Sequence, residues 1–306
     1  MRIVVFGAGG VGAYFGARLA AAGNEVGFIA RGRHLAEIKT RGLAVRSALG
    51  DIHLPGATAS DDPGALGRAD VVLFAVKLWD TEAAAAGLRP LLAGGGVVIP
   101  FQNGVESVER IGAAVGVQRV LGGAAYIAAT ISEPGTITHT GTMARLRFGA
   151  LAPGQGTAAK AFHAACVAAG IDAELVGDVQ RVLWEKFAFL APMSGLTSVA
   201  RCPIGPIRSD PEMRETLRLA IEETWNLGRA RRVALADDFV ARQLAFADGL
   251  PAQMKSSMLH DLEAGRKLEA PWLSGAVARM SREAGLAAPV NSTLYAALKP
   301  YCEGRA

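Results

Sequence analysis

The sequence predicts an α/β protein: an N-terminal Rossmann-type, doubly wound parallel sheet, then an all-helical C-terminal domain. Three observations predict it. Short β-branched runs alternate with alanine-rich amphipathic stretches through the first half, the pattern of a parallel sheet covered by helices. A glycine cluster sits between the first apolar run and the first helical one. Beyond about residue 176, long helical periodicity replaces the strand pattern. At 306 residues the chain has length for about two domains, set here at 1–176 and 177–306.

Taken in order, Arg2–Phe6 reads as a strand and Gly10–Ala22 as a helix. Glu25–Ala30 is the second strand, followed by helix near His34–Thr40. Asp70–Val76 is a strand apolar on both faces, Thr81–Leu92 a helix, and Gly96–Phe101 another strand. Strands follow near Val120–Ile131. "ISEPGTITHTG" reads as a hairpin turning at Pro134-Gly135, and Arg145–Gly149 closes this sheet region. Gly154–Ala169 returns to helix. The second half carries helical patterns over Val179–Val199, Pro211–Arg231, Asp237–Ala247, Pro271–Gly285 and Val290–Tyr301. Ser209–Glu212 is a capping-box signature with Pro211 just inside a helix start.

Composition narrows the function classes. The formal charge is only +4, and the cluster Arg229, Arg231 and Arg232 lies in a helical pattern. It reads as a solvated face, so no nucleic-acid partner is expected. No stretch reaches the roughly 20 apolar residues of a membrane span. The three cysteines (Cys166, Cys202, Cys302) and five histidines show no ligand or redox spacing. No metal site is expected, and a cytoplasmic location suits the odd cysteine count.

Gly7-Ala-Gly9-Gly-Val-Gly12 fits G-x-G-x-x-G directly after a strand and at a helix start. The first glycine permits the turn, the second lets a pyrophosphate approach, and the third lets the helix pack on the sheet. Gly7, Gly9, Gly10, Val11 and Gly12 are therefore candidate cofactor-binding residues, with the helix N-terminus facing the phosphates. The second strand ends in "FIARGR", where an NAD site would carry an acid. Arg31 and Arg33 stand there instead. A guanidinium grips a 2′-phosphate, a charge-assisted contact of about 1.5–3 kcal/mol, so NADPH is the expected coenzyme. Two further strands end in polar residues, Lys77 and Asn103-Gly104, and ligands of doubly wound sheets lie beyond such strand ends.

With these motifs in view, the chain resembles the ketopantoate reductase (2-dehydropantoate 2-reductase) family. The resemblance runs nearly end to end through "GAGGVGAYFGARLAAAGNEV", "ARGRHL", "AVKLWDT", "FQNGVE", "GTITHTG", "LWEKFAF", "SSMLHDLEAGRKLEA" and "GLAAPVNSTLYAALK". It implies NADPH-dependent reduction of a 2-oxo acid. It makes Lys186 the catalytic lysine and Glu269 the carboxylate of the substrate site. It places Asn103 and Ser257 at substrate contacts, with Asn103 also beside the coenzyme, Lys77 at the cofactor crevice and Arg31 at the 2′-phosphate. Alternatives are a reductase for a more apolar 2-oxo acid or ketone, and a non-catalytic NADPH-binding redox sensor. The sequence leaves the oligomeric state open, a homodimer included.

The chain also departs from the family pattern. Where the family carries asparagines four and eight residues after the lysine, this chain has Leu190 and Ser194. Both share the Lys186 face of a helix, by its i, i+4, i+8 spacing, and are candidate substrate-binding residues. "EAPW" replaces the family's frequent "EIDY", and Pro192 is expected to kink the lysine helix.

Overall fold

The structure, a computed structural model, describes residues 1–305. The first strand, β1 (Arg2–Phe6), is buried on both sides. Ile3 and Val5 enter one apolar cluster, and Val4 and Phe6 enter another. The same alternation in the other central strands gives a sheet with a core on each face.

The chain then forms α1 (Gly10–Ala21), β2 (Glu25–Ile29), α2 (Gly32–Arg41), β3 (Leu43–Arg46), β4 (Ile52–Leu54) and β5 (Thr58–Ser60). β6 (Val71–Phe74), α3 (Thr81–Ala86), α4 (Leu88–Leu91), β7 (Val97–Pro100) and α5 (Ser107–Val115) follow. The parallel sheet has the order β5-β2-β1-β6-β7, doubly wound as the sequence predicts. β8 (Gly122–Glu133) and β9 (Thr136–Gly149) then make a long hairpin, followed by α6 (Gly156–Ala168) and β10 (Asp172–Leu175). Its turn falls at Pro134-Gly135, as expected. The strands form a second sheet, however: β9 pairs with β8, β10 and β3, and β3 with β4.

The remaining helices are α7 (Val179–Ala200), α8 (Ile204–Ser209), α9 (Pro211–Ala230), α10 (Phe239–Gly249), α11 (Ser257–Glu263), α12 (Ser274–Glu283) and α13 (Pro289–Leu298). The chain divides into two compact units. One comprises Met1–Gln102 with Glu106–Gln180, and the other Asn103–Val105 with the chain from Arg181 onward. In the second unit α7 contributes Phe187 and Ala191 to one apolar cluster and Phe189, Met193 and Leu196 to another. A helix buried on opposite sides is the centre of its bundle.

Several local expectations are corrected. The expected helix Thr81–Leu92 breaks at Gly87. Pro90 lacks an amide hydrogen and would clash with the carbonyl of Ala86, where α3 ends. β3, β4, β5 and β10 were not expected, since runs of three or four residues carry no readable period. α8 and α11 were missed for the same shortness. The cap of α9 is Asp210, not Ser209: its carboxylate accepts from the amides of Glu212 and Met213. Pro211 occupies the first helical position, which makes the preceding residue the cap. The helix expected from Pro271 starts at Ser274, after a single 3-10 turn. α7 ends at Ala200, one residue beyond the expected Val199, and holds Pro192 within its span.

Candidate active site

The glycine loop belongs to the first unit. Gly7 has φ +103°, and a Cβ there would lie 2.7 Å from the Val76 nitrogen, so the turn excludes L side chains. A Cβ on Gly12 would come 2.3 Å from the Gly7 carbonyl oxygen and 2.8 Å from Val5 Cγ1, and one on Gly10 2.0 Å from the Ala129 oxygen. These two glycines let α1 approach β1 and β8. Gly9 differs: no atom lies within 4 Å of where its Cβ would be. It is the N-cap of α1, with no side chain capping it, and Val11 follows in the first turn. An uncapped helix start with open space at its second glycine fits a pyrophosphate.

Arg31 is exposed two residues beyond β2 and is the N-cap of α2. Lys77 is exposed three residues beyond β6, with its Nζ 5.5 Å from the centre of the Trp79 ring. Gln102 fixes this segment. Its Nε2 donates to the Val76 carbonyl and the Thr81 hydroxyl, each at 2.9 Å. Gln102 was not singled out from the sequence; "FQNG" held the signal, one residue before Asn103.

The second unit assembles three of the expected residues. Lys186, on α7, donates from Nζ to Asn103 Oδ1 at 3.1 Å. Asn103 Nδ2 donates to Glu269 Oε2 at 3.3 Å. An ammonium only donates and a carboxylate only accepts, so the orientation of the Asn103 amide is set by its neighbours. Asn103 is followed by Gly104, whose φ of +81° turns the chain, and a Cβ there would lie 3.4 Å from the Trp272 carbonyl oxygen. Glu269 is buried at the N-cap position of the 3-10 turn Ala270–Trp272, with no capping bond from its side chain, and Pro271 sits within the start of that turn. Burial lowers the Lys186 pKa from 10.5 to about 8, a shift that the Glu269 carboxylate opposes. A lysine so placed changes protonation near pH 8, within reach of neutral pH.

Leu190 is half-buried against the apolar cluster built around Trp184 and Phe187. Ser194 is 1% exposed, and its hydroxyl has no hydrogen-bond partner. Ser257 is the exposed first residue of α11. The buried serine beside it is Ser256, which caps α11 through Leu259 N and bonds the Thr197 hydroxyl at 2.8 Å. Among the described residues, no group of three or more His, Cys, Asp or Glu side chains is arranged to hold a metal. No helix among them is long and apolar enough to cross a membrane.

Known proteins share this sequence and fold. Residues 3–153 match the family described as "Ketopantoate reductase PanE/ApbA", and residues 178–302 match its C-terminal counterpart. An uncharacterized oxidoreductase of Bacillus subtilis, YkpB, is 32% identical over 98% of this chain and 99% of its own. A 2-dehydropantoate 2-reductase of Archaeoglobus fulgidus is 31% identical over 96% of this chain and 95% of its own. The crystal structure of a 2-dehydropantoate 2-reductase from Geobacter metallireducens superposes with a TM-score of 0.91 at 30% identity, covering 98% of this chain and 99% of that one.

Proposed function

The chain belongs to the ketopantoate reductase family, and from that premise we propose that it reduces the ketone of a 2-oxo acid with NADPH. The substrate proposed is 2-dehydropantoate (ketopantoate), and the product pantoate. The observation that carries this reading is the Lys186–Asn103–Glu269 relay: an ammonium with a lowered pKa, hydrogen-bonded through an amide to a buried carboxylate.

NADPH, when bound, supplies the hydride. Gly7–Gly12 and Arg31 are the proposed grip on its phosphates, and Lys77 lies beyond the end of β6, where ligands of such sheets lie. The open space at Gly9 fits that role, and the exposed Arg31 is placed for a 2′-phosphate. Lys186 does the proton work. As charge grows on the C2 oxygen, its ammonium stabilises that charge and delivers a proton. Asn103 aims the Nζ through its Oδ1. Glu269 holds the Asn103 amide and, by its charge, keeps more of the lysine protonated. Ser257 is assigned to the substrate's polar groups.

Leu190 favours a second reading. It puts an apolar wall where the family carries an amide, and a site without that amide binds a hydroxyl-bearing substrate less well. On this reading the substrate is a 2-oxo acid with an apolar side chain. NADPH oxidation with ketopantoate, 2-oxoisovalerate and pyruvate separates the readings. The highest kcat/KM on ketopantoate supports the first, and the highest on 2-oxoisovalerate supports the second. NADPH binding with no ketone reduced leaves a non-catalytic redox sensor.

A further inference from the structure

His34 lies in the "ARGRHL" stretch, in the first turn of α2, and the proposed chemistry makes no use of it. Its two ring nitrogens face backbone groups with fixed roles. The Gly135 amide can only donate, and it meets Nδ1 at 2.9 Å. The Ala8 carbonyl can only accept, and it meets Nε2 at 2.9 Å. One arrangement satisfies both: a neutral ring, with the proton on Nε2. Burial favours that neutral ring by lowering its pKa below 6.5.

Ala8 stands inside the glycine loop. Its carbonyl and the Gly9 amide belong to one planar trans peptide and point in opposite directions. Holding the Ala8 oxygen therefore aims the Gly9 N–H away from the imidazole. Gly9 is also the open position of the loop, while Gly10 and Gly12 are closed by their neighbours. The other constraints on the loop are in place: the amides of Gly7 and Ala8 both donate to the Ile29 carbonyl, at 3.3 and 2.9 Å. The far anchor is firm as well, since the Gly135 carbonyl accepts from the Ala44 amide at 2.9 Å.

We propose that His34 is a positioning residue for coenzyme binding. It ties the glycine loop to the β8–β9 turn, and so directs the Gly9 N–H toward the coenzyme's pyrophosphate. It does this from the helix whose N-cap is Arg31, so both phosphate contacts share one support. The inference rests on the reading that this loop holds NADPH.

The test compares full-length wild type, His34→Ala and His34→Gln by NADPH fluorescence titration, steady-state kinetics and thermal melting. Glutamine retains a donor for the Ala8 carbonyl and an acceptor for the Gly135 amide. The expected result is that His34→Ala raises the NADPH Kd and KM about tenfold, the equivalent of one hydrogen bond. Its KM for the 2-oxo acid stays within about twofold of wild type, and His34→Gln recovers most of the NADPH affinity. Unchanged NADPH affinity in His34→Ala overturns the inference. So does equal weakening of both KM values with no recovery in His34→Gln, which marks a general folding defect. If wild type itself binds no NADPH, the coenzyme reading has failed, and this inference falls with it.

Discussion

Asn103 presents chemically different atoms to two opposite charges, oxygen to the Lys186 ammonium and nitrogen to the Glu269 carboxylate. Replacing it by aspartate removes the donor to Glu269 and sets two carboxylates against each other. The added negative charge favours the lysine's charged form. Asn103→Asp is expected to lower kcat at least about tenfold and to move the alkaline limb of the pH–rate profile upward, measured by NADPH oxidation across pH. Lys186 also bears on stability. Its folded pKa lies below the ordinary 10.5, so the ammonium opposes folding below pH 8, and the penalty fades as pH rises from 8 to 10.5. Lys186→Met should therefore melt higher than wild type at pH 7, with the gap narrowing toward pH 10. A lower melting temperature at pH 7 would contradict this. Leu190→Asn should raise kcat/KM for ketopantoate more than for 2-oxoisovalerate, because it restores an amide for a hydroxyl. Lys186 and Glu269 were recognisable only through family motifs, since in composition they are ordinary helix and loop charges. Their meeting at Asn103 spans separations of 83 and 166 residues, beyond any local pattern.

The glycine loop was the most legible element, because three physical demands fall within six adjacent residues. Gly10 hid a further demand, a close approach to the Ala129 carbonyl, which depends on a hairpin more than a hundred residues later in the chain. Gly10→Ala should consequently lower the melting temperature and weaken NADPH binding together, both read on the same purified variant. At α9, the sequence showed a helix start but placed the cap one residue early. Proline at the first helical position outweighs the serine–glutamate spacing. Asp210→Ala is expected to cost about 1 kcal/mol, seen as a melting temperature a few degrees lower with unchanged NADPH affinity. Short strands such as β4 and β5 were not legible, because their pairing partners define them more than their own residues do.

The two units differ in what periodicity reveals. The parallel sheet of the first was visible because its strands are apolar on both faces. The second sheet was not, because β9 pairs beyond its own hairpin with β3 and β10, short strands from other parts of the chain. In the second unit, the long helices stood out and the arrangement of their apolar faces around α7 did not. If the coenzyme assignment holds, NADPH at about a hundred times its Kd stabilises the fold by about 2.7 kcal/mol. Melting curves should then rise with NADPH, and less with NADH at equal concentration. Arg31→Ala should remove that difference. The proton-transfer claim is tested most directly by the pH dependence of kcat for 2-oxo acid reduction, in wild type and Lys186→Ala. Wild type should hold a plateau below pH 8 and fall about tenfold per pH unit above it, while Lys186→Ala loses at least about a hundredfold and shows no such break. A Lys186→Ala enzyme with near-wild-type kcat, or with the same break near pH 8, would contradict the account.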